Sequence, residues 1–139
     1  MRLTMVGTGY VGLVTGVCLA NSGNDVICLD VSPDKIEKLE KDICPIYEPG
    51  LTELMVKNRK AGRLTYTLDK EKAYQAADMI FICVGTPSRD DGSMDMAQIE
   101  SAAATVGDAL AGGEREHVVI VKSTVLPRTT DELVLPHVL

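Results

Sequence analysis

Three glycines near the start of the chain constrain its fold more than any other feature. Gly7, Gly9 and Gly12 lie in the stretch GTGYVG, which separates the short apolar run RLTMV from a second apolar run that begins at Val11. The first run is typical of a strand and the second of a buried helix. A G-x-G-x-x-G pattern between a strand and a helix predicts a tight turn whose backbone approaches a pyrophosphate at the helix N-terminus.

The carboxylate of Asp30 supports this interpretation. It follows the run DVICL, which predicts a second strand, and it lies 18 residues beyond Gly12. An acidic residue at this place accepts hydrogen bonds from the adenosine ribose of a dinucleotide and repels the additional phosphate of NADP, so NAD is the predicted cofactor. Lys35, in the next predicted helix, could reach the ribose from the same side. The alternatives are a turn-capping role for Asp30 and a solvated side chain for Lys35.

The rest of the chain alternates between predicted helices and strands. Ser32 is a predicted N-cap with Pro33 in the first helical turn, and a later helix is expected to close near Gly62. LTYT is a predicted strand, MIFICV (79–84) and HVVIVK are predicted buried strands, and DKEKAYQAA and MDMAQIESAAATVGDALAG are predicted helices. This alternation predicts an α/β fold with a doubly wound parallel sheet, in one domain that spans residues 1–139.

Composition limits the partners of the chain. Asp and Glu outnumber Lys and Arg by 20 to 14, which argues against nucleic acid or an anionic membrane surface as the main partner, because both require clustered basic residues. The apolar N-terminal run is an alternative signal peptide or membrane anchor, but glycines and polar residues interrupt it, so a soluble fold is predicted.

The four cysteines show no C-x-x-C spacing, which favours a reducing compartment and free thiols. Cys18, Cys28 and Cys83 lie inside apolar runs, where a thiol is expected to pack as a small hydrophobic group.

Two further loops begin where predicted strands end. One is GTPS, with Gly85 and Thr86, and the other is STVLP, with Ser123 and Thr124. Open α/β sheets bind ligands at this edge, where hydroxyl groups can orient a ring amide or a water molecule. The alternative for both threonines is a local turn or cap.

The motifs GTGYVG, YEPGL, ICVGTP and KSTVLP, in this order and at these separations, resemble the N-terminal NAD-binding domain of the UDP-glucose / GDP-mannose dehydrogenase family. The resemblance covers essentially the whole chain. It implies cofactor contacts at the residues that match the family pattern: Gly7, Gly9, Tyr10, Val11, Gly12, Asp30, Lys35, Thr86 and Thr124. Among them, Tyr10 and Val11 match the turn at the pyrophosphate, and the two threonines match residues near the nicotinamide. Glu48 belongs to the YEPGL signature, and its sequence context assigns it no chemistry.

The resemblance also implies the activity of the intact enzyme. Such enzymes oxidise the C6 alcohol of a nucleotide sugar to a carboxylate through a cysteine-linked intermediate, with reduction of two NAD, in polysaccharide biosynthesis. A cytoplasmic homo-oligomer is expected, with UDP-glucose as the substrate and GDP-mannose or another nucleotide sugar as the alternative. A nucleotide-sensing module without catalytic activity is the alternative from another class, and it has no need for hydroxyl groups at the nicotinamide end.

No catalytic motif of the family is found in this sequence. The chain ends at Leu139, before the expected last strand, central helix and substrate domain, which carry the family's glutamate, lysine, asparagine and nucleophilic cysteine. We therefore expect no metal site and no catalytic residue here, with at most a water-positioning role for Thr124, and an inactive chain. Arg128 stands where the family usually has glycine, which leaves the conformation of its loop open.

Overall fold

The computed structural model describes all 139 residues, in which strands alternate with helices. The elements are β1 (Arg2–Val6), α1 (Tyr10–Asn21), β2 (Asp25–Leu29), α2 (Pro33–Glu40), α3 (Leu51–Lys60), β3 (Leu64–Thr67), α4 (Lys70–Ala76), β4 (Met79–Ile82), α5 (Ala97–Leu110), β5 (Val118–Val121), a π-helical turn (Thr130–Val134) and α6 (Leu135–Val138).

The five strands form one sheet in the order β3-β2-β1-β4-β5, and every neighbouring pair is parallel. At the centre, Val6 of β1 lies level with Leu29 of β2 and Ile82 of β4. The strand order reverses between β1 and β4, and ligands of open α/β sheets bind in the crevice at such a switch point. The predicted doubly wound parallel sheet is confirmed.

Residues of β1 alternate between two hydrophobic clusters. Leu3 and Met5 pack with α1, α2 and α3, whereas Val6 packs with α4 and α5 on the other face. Thr4 is also fully buried, and its hydroxyl donates a hydrogen bond to the carbonyl oxygen of Ala73 at 2.7 Å. Burial on both faces explains why the central strands are apolar without alternation.

Local sequence signals set the ends of several helices. The Ser32 side chain accepts a hydrogen bond from the backbone N–H of Lys35 at 3.4 Å at the start of α2, as the sequence predicts. Asp69 caps α4 in the same way, from the N–H of Lys72 at 3.1 Å. Gly62 follows α3 with φ of +75°, the left-handed conformation that commonly ends a helix.

Three predictions need correction. The predicted buried strand near the C-terminus, β5, is an edge strand because only β4 pairs with it, and Val118 is 51% exposed. The strand MIFICV ends at Ile82, because the chain turns into the loop after it. Cys28 and Cys83 are buried as expected, but Cys18 lies on the exposed side of α1.

The C-terminal segment, for which the sequence analysis predicts no element, forms the π-helical turn and α6. Helix α6 packs on α5 at Gly107, where a Cβ atom would overlap the carbonyl oxygen of His137. Arg128 precedes this segment with φ of +71° and forms an ion pair with Glu132 at 2.6 Å. None of the helices combines the length and apolar character that a membrane crossing requires.

Candidate cofactor site

The glycine turn connects β1 to α1 at the switch point of the sheet. Gly7 has φ of +101°, and its N–H donates to the carbonyl oxygen of Leu29 at 2.8 Å. A Cβ atom on Gly7 would lie 2.8 Å from the carbonyl oxygen of Cys83, and one on Gly12 would overlap the carbonyl oxygen of Gly7. A Cβ atom on Gly9 would meet no heavy atom within 4 Å. The fold therefore requires the first and third glycines, whereas the second borders open space.

Helix α1 begins at this open space. Gly9 is its N-cap without a side-chain hydrogen bond, and the first turn contains no acidic residue. The first N–H groups of a helix have no partner inside the helix, and together with the helix dipole they attract an anion. Tyr10 and Val11 form this first turn, and the two residues are 56% and 43% exposed. The predicted pyrophosphate position is thus a helix N-terminus, and no carboxylate in the first turn of the helix competes for it.

Asp30 lies directly after β2 with only 8% of its surface exposed. Its Oδ2 accepts hydrogen bonds from the N–H of Thr8 at 2.8 Å and from the hydroxyl of Thr8 at 2.6 Å. Its Oδ1 accepts one from the N–H of Ser32 at 3.0 Å, and the Lys35 ammonium lies 3.8 Å from Oδ2.

These contacts decide the charge of Asp30. Burial opposes ionisation of the carboxyl group, but the hydrogen bonds from Thr8 and Ser32 and the charge of Lys35 outweigh it, so the pKa of Asp30 lies below its ordinary value. The side chain is therefore a carboxylate at neutral pH. A negative group at this position accepts ribose hydroxyl groups and repels a ribose phosphate.

A cleft of about 630 Å³ lies beside this carboxylate. Asp30 and Lys35 line one part, Gly7 and Gly9 another, and Val31 and Val84 contribute apolar walls. Helices α4 and α5 close the far side with polar groups from Lys70, Gln98, Ser101 and Thr105. The volume is within the range of small-molecule sites, about 300–1,000 Å³.

The two predicted strand-end threonines belong to loops that contact each other. The hydroxyl of Thr86 donates to the carbonyl oxygen of Thr124 at 2.8 Å, and the hydroxyl of Ser123 donates to the carbonyl oxygen of Val84 at 2.7 Å. These bonds join the loops after β4 and β5 at the carboxyl edge of the sheet. Neither threonine lines the cleft beside Asp30.

Sequence reasoning missed a contact between Tyr10 and Glu48. The Tyr10 hydroxyl donates to Oε2 of Glu48 at 2.7 Å, and this hydrogen bond and the negative charge of Glu48 raise the pKa of Tyr10. Gly50 has φ of +81°, and the carbonyl oxygen of Glu48 accepts the N–H of Leu51 at 3.1 Å, so the YEPGL motif is a turn that leads into α3. The YEPGL motif is recognisable in the sequence, but Tyr10, the residue that contacts its glutamate, lies 38 residues away in sequence.

The profile of the UDP-glucose/GDP-mannose dehydrogenase family, NAD binding domain, matches residues 1–139. The chain belongs to this family. It is similar to a UDP-glucose 6-dehydrogenase of Bacillus subtilis, with 47% identity over 131 residues, 94% of this chain and 29% of the relative. A GDP-mannose 6-dehydrogenase of Pseudomonas aeruginosa is 43% identical over 136 residues, 98% of this chain and 31% of the relative. The chain thus spans less than a third of the length of these relatives.

Solved structures of the family have the same fold. A ternary complex of GDP-mannose dehydrogenase from Pseudomonas aeruginosa matches with a TM-score of 0.96 and 43% identity, over 99% of this chain and 32% of that one. A UDP-glucose dehydrogenase from Pyrobaculum islandicum matches with a TM-score of 0.94 and 43% identity, again over 99% and 32%. The expected Rossmann-type fold is confirmed.

The residues present fit the NAD that the family binds. Gly9 borders space that a Cβ atom would enter without contact, and Asp30 presents an ionised, buried carboxylate to the adjoining cleft. The cleft brings together Gly7, Gly9, Asp30 and Lys35 among the predicted contacts. Tyr10, Val11, Gly12, Thr86 and Thr124 lie outside its lining, on the first turn of α1 and in the loops after β4 and β5.

Proposed function

We propose that this chain is the cofactor-binding part of a UDP-glucose 6-dehydrogenase, an enzyme that oxidises the C6 alcohol of UDP-glucose to the carboxylate. The observation that carries the proposal is the Asp30 carboxylate, buried beside the open face of Gly9 at the switch point of the sheet. This combination favours an unphosphorylated adenosine ribose next to a pyrophosphate.

Each part of the site has a separate task in this proposal. The backbone at Gly9 and the N-terminus of α1, with Tyr10 and Val11, hold the pyrophosphate, and Gly12 keeps α1 close to β1. Asp30 and Lys35 hold the ribose. Bound NAD supplies a hydride acceptor, and Thr86 and Thr124 orient its nicotinamide end or a nearby water molecule.

The choice of nucleotide sugar is supported by the relatives. One UDP-glucose 6-dehydrogenase of Bacillus subtilis and one of Rhizobium meliloti are each 47% identical to this chain, and a second one of Bacillus subtilis is 44% identical. The GDP-mannose 6-dehydrogenase of Pseudomonas aeruginosa is 43% identical. GDP-mannose is the second candidate, because the ternary complex of its dehydrogenase matches the fold with a TM-score of 0.96. A non-catalytic nucleotide sensor is disfavoured by membership of a dehydrogenase family.

A cytoplasmic location is part of the proposal. All four cysteines are free thiols, which is the usual state in a reducing compartment. A homo-oligomer of the intact enzyme stays a prediction from the family resemblance.

Calorimetric titration tests the cofactor assignment. We expect the 139-residue chain to bind NAD or NADH with a clear preference over NADP or NADPH. Equal or tighter binding of the phosphorylated forms would contradict it. The substrate is tested on the whole polypeptide that the gene encodes, by following NADH formation with UDP-glucose and, separately, with GDP-mannose.

A further inference from the structure

Thr8 lies between the first two glycines of the turn and is buried, with 1% of its surface exposed. Its backbone N–H and its hydroxyl both donate to the same oxygen, Oδ2 of Asp30, at 2.8 and 2.6 Å. No other pair of residues in the cleft is joined by two hydrogen bonds to one atom. Thr8 therefore fixes the orientation of the carboxylate that faces the cleft.

The number of acceptor positions on this carboxylate is limited. An ionised carboxyl group has about four lone-pair positions, two on each oxygen. Thr8 occupies both positions on Oδ2, and the N–H of Ser32 occupies one on Oδ1. A single position on Oδ1 remains, whereas an adenosine ribose presents two neighbouring hydroxyl groups.

We propose that Thr8 is a specificity-determining residue that restricts Asp30 to one ribose hydroxyl. The free position on Oδ1 accepts this hydroxyl, and the ammonium group of Lys35, 3.8 Å from Oδ2, donates to the other hydroxyl. The inference rests on the proposed binding of NAD. It predicts that the two ribose hydroxyl groups contribute unequally to affinity.

The inequality follows from the surroundings of the two partners. Asp30 is buried and ionised, so its hydrogen bond to a hydroxyl group belongs to the strong, charge-assisted kind. The Lys35 side chain is 48% exposed, so water competes for its ammonium group and screens it. Loss of the hydroxyl on Asp30 therefore weakens binding more than loss of the hydroxyl on Lys35.

The wild-type chain provides the first measurement. Dissociation constants are measured by calorimetry for NAD and for its 2′-deoxyadenosine and 3′-deoxyadenosine analogues. We expect one deoxy analogue to bind about tenfold more weakly than NAD or worse, and the other to bind within about threefold of NAD. Equal losses for the two analogues would overturn the proposal. Failure of NAD itself to bind would instead refute the proposed function.

The second measurement removes the hydroxyl of Thr8. Thr8→Ala removes the hydroxyl together with the atoms that fill its place and so opens one position on Oδ2, and we expect the losses for the two analogues to converge to within about threefold of each other. Thr8→Ser lacks the methyl group but retains the hydroxyl, so it should keep the unequal losses for the two analogues. If Thr8 acted only through the packing of its methyl group, the serine variant would not keep them. An unchanged inequality in Thr8→Ala would overturn the proposal.

Thr4→Ala is the matched control. Thr4 is another fully buried threonine, near the same turn, and its hydroxyl donates to the carbonyl oxygen of Ala73 on the α4 side. This variant should lose stability without changing the ratio between the two analogues. Circular dichroism verifies that each variant is folded. The comparison of the two analogues on the wild-type chain tests the number of free acceptor positions on Asp30 without any substitution.

Discussion

The carbonyl oxygen of Gly7 occupies the space that a Cβ atom on Gly12 would need. These two glycines are thus fixed by contacts within the protein, whereas Gly9 borders open space and has φ of −72° and ψ of −170°, which any residue adopts. Gly7 and Gly12 are therefore required by the fold, whereas Gly9 leaves space for a ligand.

Gly9→Val should abolish NAD binding while the fold persists, because the added side chain enters the space assigned to the pyrophosphate. We expect the free energy of unfolding to fall by about 1 kcal/mol or less, the usual effect at an N-cap. Gly12→Val, the matched control, should cost about 3 kcal/mol because a backbone oxygen cannot move aside cheaply. Urea denaturation measures the free energy of unfolding, and calorimetry measures the NAD affinity. Retained NAD affinity in Gly9→Val would contradict the proposed pyrophosphate site.

Asp30→Ala should weaken NAD binding by about 1–3 kcal/mol, the range for hydrogen bonds to a charged partner. The affinity for NADP should fall less or rise, because the repulsion of its phosphate is removed. Asp25→Ala is the control, since Asp25 is exposed at the opposite end of the same strand β2. Titration of both variants with both cofactors checks the prediction; an unaltered NAD to NADP ratio in Asp30→Ala would count against it.

The lowered pKa of Asp30 makes a prediction about pH. A carboxyl group with a depressed pKa in the folded state stabilises the fold above its ordinary pKa, about 3.9, and this stabilisation is lost as the pH falls through the folded-state pKa. NAD affinity should therefore stay constant between about pH 5 and 8, while the free energy of unfolding declines below about pH 4.

Asp30→Asn should reduce the slope of this decline in urea titrations at several pH values. The slope that remains is assigned to four other aspartates whose pKa values are lowered by hydrogen bonds: Asp42, Asp78, Asp91 and Asp95. A steep loss of NAD affinity at about pH 6 would require a different titrating group, such as a histidine.

Arg128→Gly should stabilise the protein by about 0.5–1 kcal/mol, because φ of +71° is a strained conformation for a residue with a Cβ atom. The lost ion pair with Glu132 is exposed and contributes little. Arg128→Ala loses the same ion pair and keeps the strain, so it should be no more stable than wild type. Thermal unfolding distinguishes the variants, and equal melting temperatures for the glycine and alanine variants would rule out strain.

The 139-residue chain should produce no NADH from NAD with UDP-glucose or GDP-mannose. Burial raises the pKa of Cys28 to about 12 and that of Cys83 to about 11, so neither is a thiolate at neutral pH. His117 lies at the amino end of β5, where its Nδ1 is 2.9 Å from the carbonyl oxygen of Ala77, away from the cleft. Sustained absorbance at the NADH wavelength, abolished by substitution of a cysteine, would show a nucleophile within this chain.

The sequence predicts the sheet and the glycine turn because both depend on local signals. Buried strands require apolar runs, and the close approach of Gly12 to Gly7 requires glycine whatever the surroundings. The exposure of Cys18 and the edge position of β5 depend instead on which neighbours the sheet provides. The same holds for the bond between Tyr10 and Glu48, since two segments far apart in sequence meet only through the packing of α1 against α3.

Arg128 shows a second limit of prediction from the sequence. The resemblance leads us to expect glycine at this position, and the observed φ of +71° is one that glycine adopts without strain. Thr8 is a comparable case, because its role follows from two distances to one oxygen and not from its residue type.

The edge position of β5 has a consequence for the behaviour of the isolated chain in solution. Its four residues, VVIV, are all β-branched, and only one side of the strand is paired. The backbone groups along the other side form a template onto which a strand of another molecule can add. Self-association through this edge would increase with protein concentration. Titrations of the isolated chain at several protein concentrations therefore distinguish cofactor binding from oligomer formation.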